Sequence, residues 1–134
     1  MKFGLKPVNY NVTDLKRSLA FYEEALGLKE INRKECPDYT VVRLGSDGQL
    51  PSLLELTCRH GEPIPYPVEY APYFEVEDHD AALAYHRAMG CVVEKLVRRE
   101  TYAIADPDGK WIRIYPKFSV VRIDLRSFET EEDT

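Results

Sequence analysis

The chain has 134 residues, enough for one domain that buries roughly two-thirds of its unfolded surface. Hydrophobic residues make up 44% and charged residues 31%, an ordinary globular mixture, and the net charge of −5 disfavours nucleic acid because a diffuse acidic surface repels phosphate. No run approaches ~18 apolar residues and Met1 to Val8 holds no long apolar stretch, so neither a membrane span nor a secretory leader is expected.

Val8 to Val12 is a short segment of β-formers and predicts a strand. Asp14 fits an N-cap, because its carboxylate can accept from the open N–H groups of a helix start. Leu15, Leu19, Tyr22 and Leu26 recur at helical spacing, and Gly27 fits the stop. Strands are expected at about 29–33, 39–44 and 52–57. Pro63, Pro65 and Pro67 then mark a linker, since proline cannot donate to a sheet ladder. Beyond it come a strand at 73–76, a helix at 81–89 and strands at about 92–97, 102–105 and 111–115. Ser119 to Leu125 suggests an edge strand, and Glu129 to Asp133 an acidic, frayed tail.

The two halves repeat. Asp14 and Asp78 lie 64 residues apart, as do Leu19 and Leu83. Each half continues to a glycine, Gly27 or Gly90, and later to an Asp-Gly turn, Asp47-Gly48 or Asp108-Gly109. The order is βαβββ, twice, in modules of about 7–59 and 71–116 with an extension over 117–134. The predicted class is α+β, a single domain over 1–134.

Cys36, Cys58 and Cys91 are widely spaced and odd in number, which predicts free thiols in a reducing cytoplasm. His79 and His86 fall on or beside the second helix and are expected on its outer surface. His60 follows the fourth strand and keeps an acid or base role open. Tyr66, Tyr70 and Tyr73 join the linker prolines in a connector that either packs as linker or serves as a pocket lid or dimer contact. Asp106 to Gly109 reads as a turn rather than a catalytic motif.

Asn11 through Tyr22, with Leu26-Gly27-Leu28, resembles the opening of glyoxalase I. Leu53 to Thr57 resembles its fourth strand, and Asp106 to Ile114 its last turn and strand. The resemblance spans about 7–116 and points to the vicinal-oxygen-chelate superfamily. It implies two modules in a cupped mixed sheet, a divalent metal such as zinc or nickel, a small-molecule ligand and a homodimer. It also implies an activity, the isomerisation of a glutathione hemithioacetal, in which a metal stabilises an enediolate and a carboxylate moves a proton.

The resemblance places four metal ligands, on the first, fourth, fifth and eighth strands. Here they fall on Pro7, Glu55, Ala71 and Arg113. Pro7 and Ala71 have no donor atom, and Arg113 carries a cation that repels a metal and cannot act as a base. Glu55 alone is retained, and would be catalytic if the chain is active. One carboxylate does not hold zinc or nickel tightly, so no metal cofactor is expected. The positions at which relatives clasp glutathione hold Asn11 and Arg59, with the residue types exchanged.

Strand alternation puts Asn9 and Asn11 on the cup face, with Leu53, Glu55, Thr57 and Arg59, then Tyr73 and Glu75, and Trp111, Arg113 and Tyr115. A Glu55–Arg113 ion pair is the expected substitute for the metal, either as mutual charge satisfaction or as an anion-binding device. Three function classes follow: a metal-free binding protein for a small polar or anionic molecule, an active lyase or isomerase of the glyoxalase I type, and a regulatory module whose pocket is closed by Trp111 and Tyr115.

Overall fold

The structure, a computed structural model, describes residues 1–3, 6–61, 73–96 and 101–117. Ala71, the linker residues from Pro63 to Tyr70, the expected strand at Ser119 to Leu125 and the acidic tail lie outside the described residues.

The first module runs β1 (Val8–Val12), α1 (Leu15–Leu26), β2 (Leu28–Glu35), β3 (Tyr39–Ser46) and β4 (Leu54–Arg59). The second runs β5 (Tyr73–Val76), α2 (His79–Met89), β6 (Val92–Leu96), β7 (Thr101–Ala105) and β8 (Trp111–Pro116). Each module forms a four-stranded mixed sheet, ordered β1-β4-β3-β2 and β5-β8-β7-β6. The one parallel pair in each, β1 with β4 and β5 with β8, requires a crossover, and the helix belongs to it. Even the irregularities correspond, with one register shift at Glu30/Asn32 and another at Val92/Glu94.

Local chemistry sets the helix ends. The Asp14 carboxylate accepts the Arg17 N–H at 3.1 Å, and that of Asp78 accepts the Ala81 N–H at 3.0 Å. Gly27 and Gly90 close the helices with φ of 66° and 78°, in the left-handed region where a side chain would be strained. The buried line of α1 is Ser18, Tyr22 and Ala25, while Leu15, Leu19 and Leu26 pack at its margins. The expected stripe is therefore present but rotated about its Tyr22 centre.

One core serves both modules. Tyr10, Val42, Leu44, Leu54 and Leu56 are fully buried in the first, and Tyr102, Ile104 and Ile112 in the second. Each such side chain contributes roughly 1.5–3 kcal/mol by leaving water.

Polar bonds join the modules across the core. His86 was expected on the outer surface; it is buried instead. Its Nε2 donates to the Ala25 carbonyl at 2.7 Å and its Nδ1 shares a hydrogen bond with the Tyr102 hydroxyl at 2.6 Å. A carbonyl can only accept, so Nε2 carries a proton. His79 is half-buried rather than solvated, with its ring 5.1 Å from that of Tyr102 and Nε2 donating to the Ile114 carbonyl. Tyr85 donates to the Glu24 carbonyl at 2.6 Å.

The Asp106 to Gly109 segment is a turn, as expected, and also a joint. Asp106 accepts from the backbone N–H groups of Asp108 and Lys110, and from the Tyr22 hydroxyl at 2.9 Å. Asp108 accepts from the Thr13 backbone N–H and from its hydroxyl. Cys36, Cys58 and Cys91 are free, half-buried thiols. No helix among the described residues is long and apolar enough to cross a membrane.

Candidate small-molecule site

Period two gives the first sheet an apolar face toward α1 and a polar face away from it. On the polar face the register aligns Asn32, Arg43, Glu55 and Asn9 in one row across all four strands. Lys34, Val41, Thr57 and Asn11 form the next row. Arg59, opposite Tyr39, lies exposed at the end of β4.

Glu55 is the centre of the first row and is only 5% exposed. Its Oε1 accepts from Asn9 Nδ2 at 2.8 Å, and its Oε2 accepts from Arg43 Nε at 2.9 Å. Asn9 also donates to the Thr57 hydroxyl at 2.7 Å. Lys6 Nζ stands 3.8 Å from Oε1. Burial by itself would raise the Glu55 carboxyl pKa. The bonds from Asn9 and Arg43, with the charges of Lys6 and Arg43, outweigh it and hold the pKa below the usual 4.5. A carboxyl depressed by folding contributes stability that is complete above the unfolded value and fades as pH drops through the folded one. Chemical denaturation at descending pH should therefore show a loss of stability below about pH 4.5 that is smaller in Glu55→Gln.

Arg43 is the residue that reading the sequence did not single out. The cation bonded to Glu55 comes from the neighbouring strand β3, while Arg113 belongs to β8 of the second sheet. Only the antiparallel register, which sets Arg43 opposite Glu55, reveals the partner.

The second sheet repeats the arrangement with other residues. Tyr73, Arg113 and Ala103 occupy the row that Asn9, Glu55 and Arg43 occupy in the first. Arg113 is half-buried, and Tyr73 meets Tyr115 edge-on with centroids 5.5 Å apart. Tyr73 is 66% exposed and Trp111 43% exposed, so neither aromatic is folded down into a plug. His60 is held by the Thr40 hydroxyl at 2.8 Å and the Pro37 carbonyl at 3.0 Å, at the β3–β4 end.

A cleft of about 430 Å³ opens on the polar face of the first sheet, lined by Lys6, Arg33, Lys34, Tyr39, Arg43 and Glu55. A second cavity of about 540 Å³ lies where the end of α1 meets β5 and α2, among Leu26, Leu28, Leu53, Phe74 and Tyr85. The first has the charges and donors to hold a polar ligand; the second is mostly apolar.

The residues at the four ligand positions decide whether the divalent metal implied by the resemblance could be held here. Of its positions, Pro7 lacks a donor, Arg113 is a cation, and each Glu55 oxygen already accepts an N–H. Among the described residues no group of three or more His, Cys, Asp or Glu side chains comes together. This donor chemistry does not fit a four-ligand zinc or nickel centre.

The sequence model described as Glyoxalase/Bleomycin resistance protein/Dioxygenase superfamily matches residues 4–114. A lactoylglutathione lyase from Oryza sativa subsp. japonica is 44% identical over 57 residues, which is 40% of this chain and 20% of the rice protein. The alignment thus spans a fifth of that relative's length. Glyoxalase I from Leishmania major superposes with a TM-score of 0.70 at 26% identity, covering 94% of this chain and 90% of that one. A glyoxalase I mutant from Zea mays gives 0.61 at 27% identity, over 82% of this chain and 45% of the maize one. A fosfomycin resistance protein from Listeria monocytogenes shares the fold, with a TM-score of 0.62 at 18% identity over 88% of this chain and 94% of that one. With its paired βαβββ modules and a sequence match across most of its length, the chain belongs to the glyoxalase/bleomycin resistance/dioxygenase superfamily.

Proposed function

We propose that this chain binds a small polar or anionic molecule on the cupped face of its glyoxalase-type fold, without the divalent metal that glyoxalase I uses. One observation carries the reading. Glu55, the retained ligand position, gives both oxygens to protein donors, Asn9 and Arg43. A carboxylate held in this way is a structural anion rather than an open metal ligand or a free base. The exposure of Trp111 and Tyr73 argues against a regulatory module with a closed pocket. The ligand-binding set comprises Asn9, Asn11 and Arg59 on the first sheet and Tyr73, Trp111, Arg113 and Tyr115 on the second. A homodimer in the cytoplasm is the setting we propose for it.

The second reading is an active metal-dependent lyase, favoured by the 44% identity to the rice enzyme over the matched segment. Calorimetric titration of chelator-stripped protein with nickel, zinc, cobalt and manganese separates the two. The metal-free reading expects no stoichiometric heat. Tight binding that disappears in Glu55→Gln would overturn the metal-free reading, make Glu55 a ligand, and leave a glyoxalase assay to decide the lyase reading.

A further inference from the structure

We infer that the cleft on the first sheet is an anion subsite built on Arg43, and that its ligand is a small molecule with two negative charges. The inference rests on the metal-free reading and deepens it by naming the ligand class and the residues that select it.

The charge balance of the cleft argues for this. Arg33 is already occupied, with Glu30 and Glu35 both bonded to its guanidinium. Lys6, Arg33, Lys34 and Arg43 thus stand against Glu30, Glu35 and Glu55, a local excess of one positive charge in a protein whose net charge is −5. A negative molecule carrying a positive cleft concentrates anions there rather than over its whole surface.

The geometry of Arg43 selects for shape. It holds Glu55 through Nε, one edge of the guanidinium. The fork of its two Nη groups is a separate edge, planar and matched to two oxygens of a carboxylate or phosphate. The side chain is 42% exposed while Glu55 beneath it is 6% exposed. Glu55 therefore acts as a positioning residue that fixes the fork. Lys6, 71% exposed, and Lys34 on β2 flank it as mobile point charges able to meet a second anionic group. Tyr39 and Val41 give the wall an apolar strip for a short carbon chain. A volume of about 430 Å³ admits a ligand of metabolite size.

The test is calorimetric titration of the full chain, freed of metal on a chelating resin, with succinate, with inorganic phosphate and with neutral succinamide. Succinate, phosphate or both should bind, more weakly as salt rises, and succinamide should not. Which of the two binds identifies the anionic group. The Lys6→Met/Lys34→Met variant keeps the Arg43–Glu55 pair and should weaken binding by at least about tenfold. Arg43→Met/Glu55→Leu removes fork and counter-ion together, leaves no orphan charge, and should abolish binding. Lys16→Met, on the exposed face of α1, should bind as the parent does. Absence of heat with both anions at about 10 mM, a response to succinamide equal to that to succinate, or unchanged affinity in both double variants would each overturn the subsite. Such a failure is distinct from failure of the metal-free reading, which only the metal titration decides.

Discussion

Substituting Asp106 by alanine is expected to destabilise the fold by about 3–5 kcal/mol, a fall in melting temperature of roughly 10–15 °C. The carboxylate is 5% exposed and accepts from three donors, the backbone N–H groups of Asp108 and Lys110 and the hydroxyl of Tyr22. Hydrogen bonds to a charged acceptor are worth about 1.5–3 kcal/mol each, and their loss is not additive. Alanine removes all three and strands the Tyr22 hydroxyl where water cannot reach it. Burial, and then the charge of Asp106, push the Tyr22 phenol pKa up, so the group stays a proton donor throughout the accessible pH range. Asp106→Asn keeps an oxygen for the two backbone donors and should cost less than half as much. The bond to Tyr22 spans 84 residues and links α1 of one module to the β7–β8 turn of the other. Thermal or urea denaturation of the two variants checks the difference. Equal losses would mean that the turn, and not its charge, matters.

Asp106 also shows where the sequence is legible and where it stops. Its turn is local: Pro107 and Gly109 set backbone angles, and the short side chain reaches N–H groups two and four residues ahead. The same holds for the caps at Asp14 and Asp78 and the left-handed glycines after each helix, all of which the sequence announces. The repeat added a second module of the same strand order, since two matched βαβββ runs demand similar sheets, but not whether the modules pair within one chain. What the sequence did not reveal depends on partners far along the chain. His86 is polar and sits on a modestly amphipathic helix, so its composition points to solvent. Its partners Ala25 and Tyr102 lie 61 and 16 residues away, and only the packing of the modules supplies them. Arg43 alternates with apolar residues along β3 like any solvent-facing strand position. Its importance arises from register, because Glu55 on β4 and Asn9 on β1 fall in the same row. The four ligand positions were legible as residue types, and their chemistry follows without coordinates. The cation that holds Glu55 did not follow, because Arg43 meets it only through the register of β3 with β4.

The pair formed by Arg43 and Glu55 should separate stability from function. Arg43→Ala is expected to cost about 1–2 kcal/mol, because the half-exposed guanidinium is partly screened by water while the Glu55 carboxylate beneath it keeps only Asn9 and the more distant Lys6. Without the guanidinium, burial is opposed by fewer favourable contacts, and the Glu55 pKa must rise relative to the parent. The sign of the pH effect follows. The parent gains stability as Glu55 ionises, so Arg43→Ala should lose least at low pH, where the carboxyl is protonated, and most near neutrality. Arg43→Met/Glu55→Leu removes both charges while filling similar volume, and should be about as stable as the parent, since the desolvation cost of Glu55 disappears together with its pairing. Denaturation curves of the parent, Arg43→Met, Glu55→Leu and the double variant across pH form a complete double-mutant cycle. A double variant that is stable yet binds no small dianion would place the pair in recognition, retained at no benefit to folding. A double variant as unstable as Arg43→Ala would place the pair in the architecture of the sheet as well, and the binding titration alone would then decide its part in recognition.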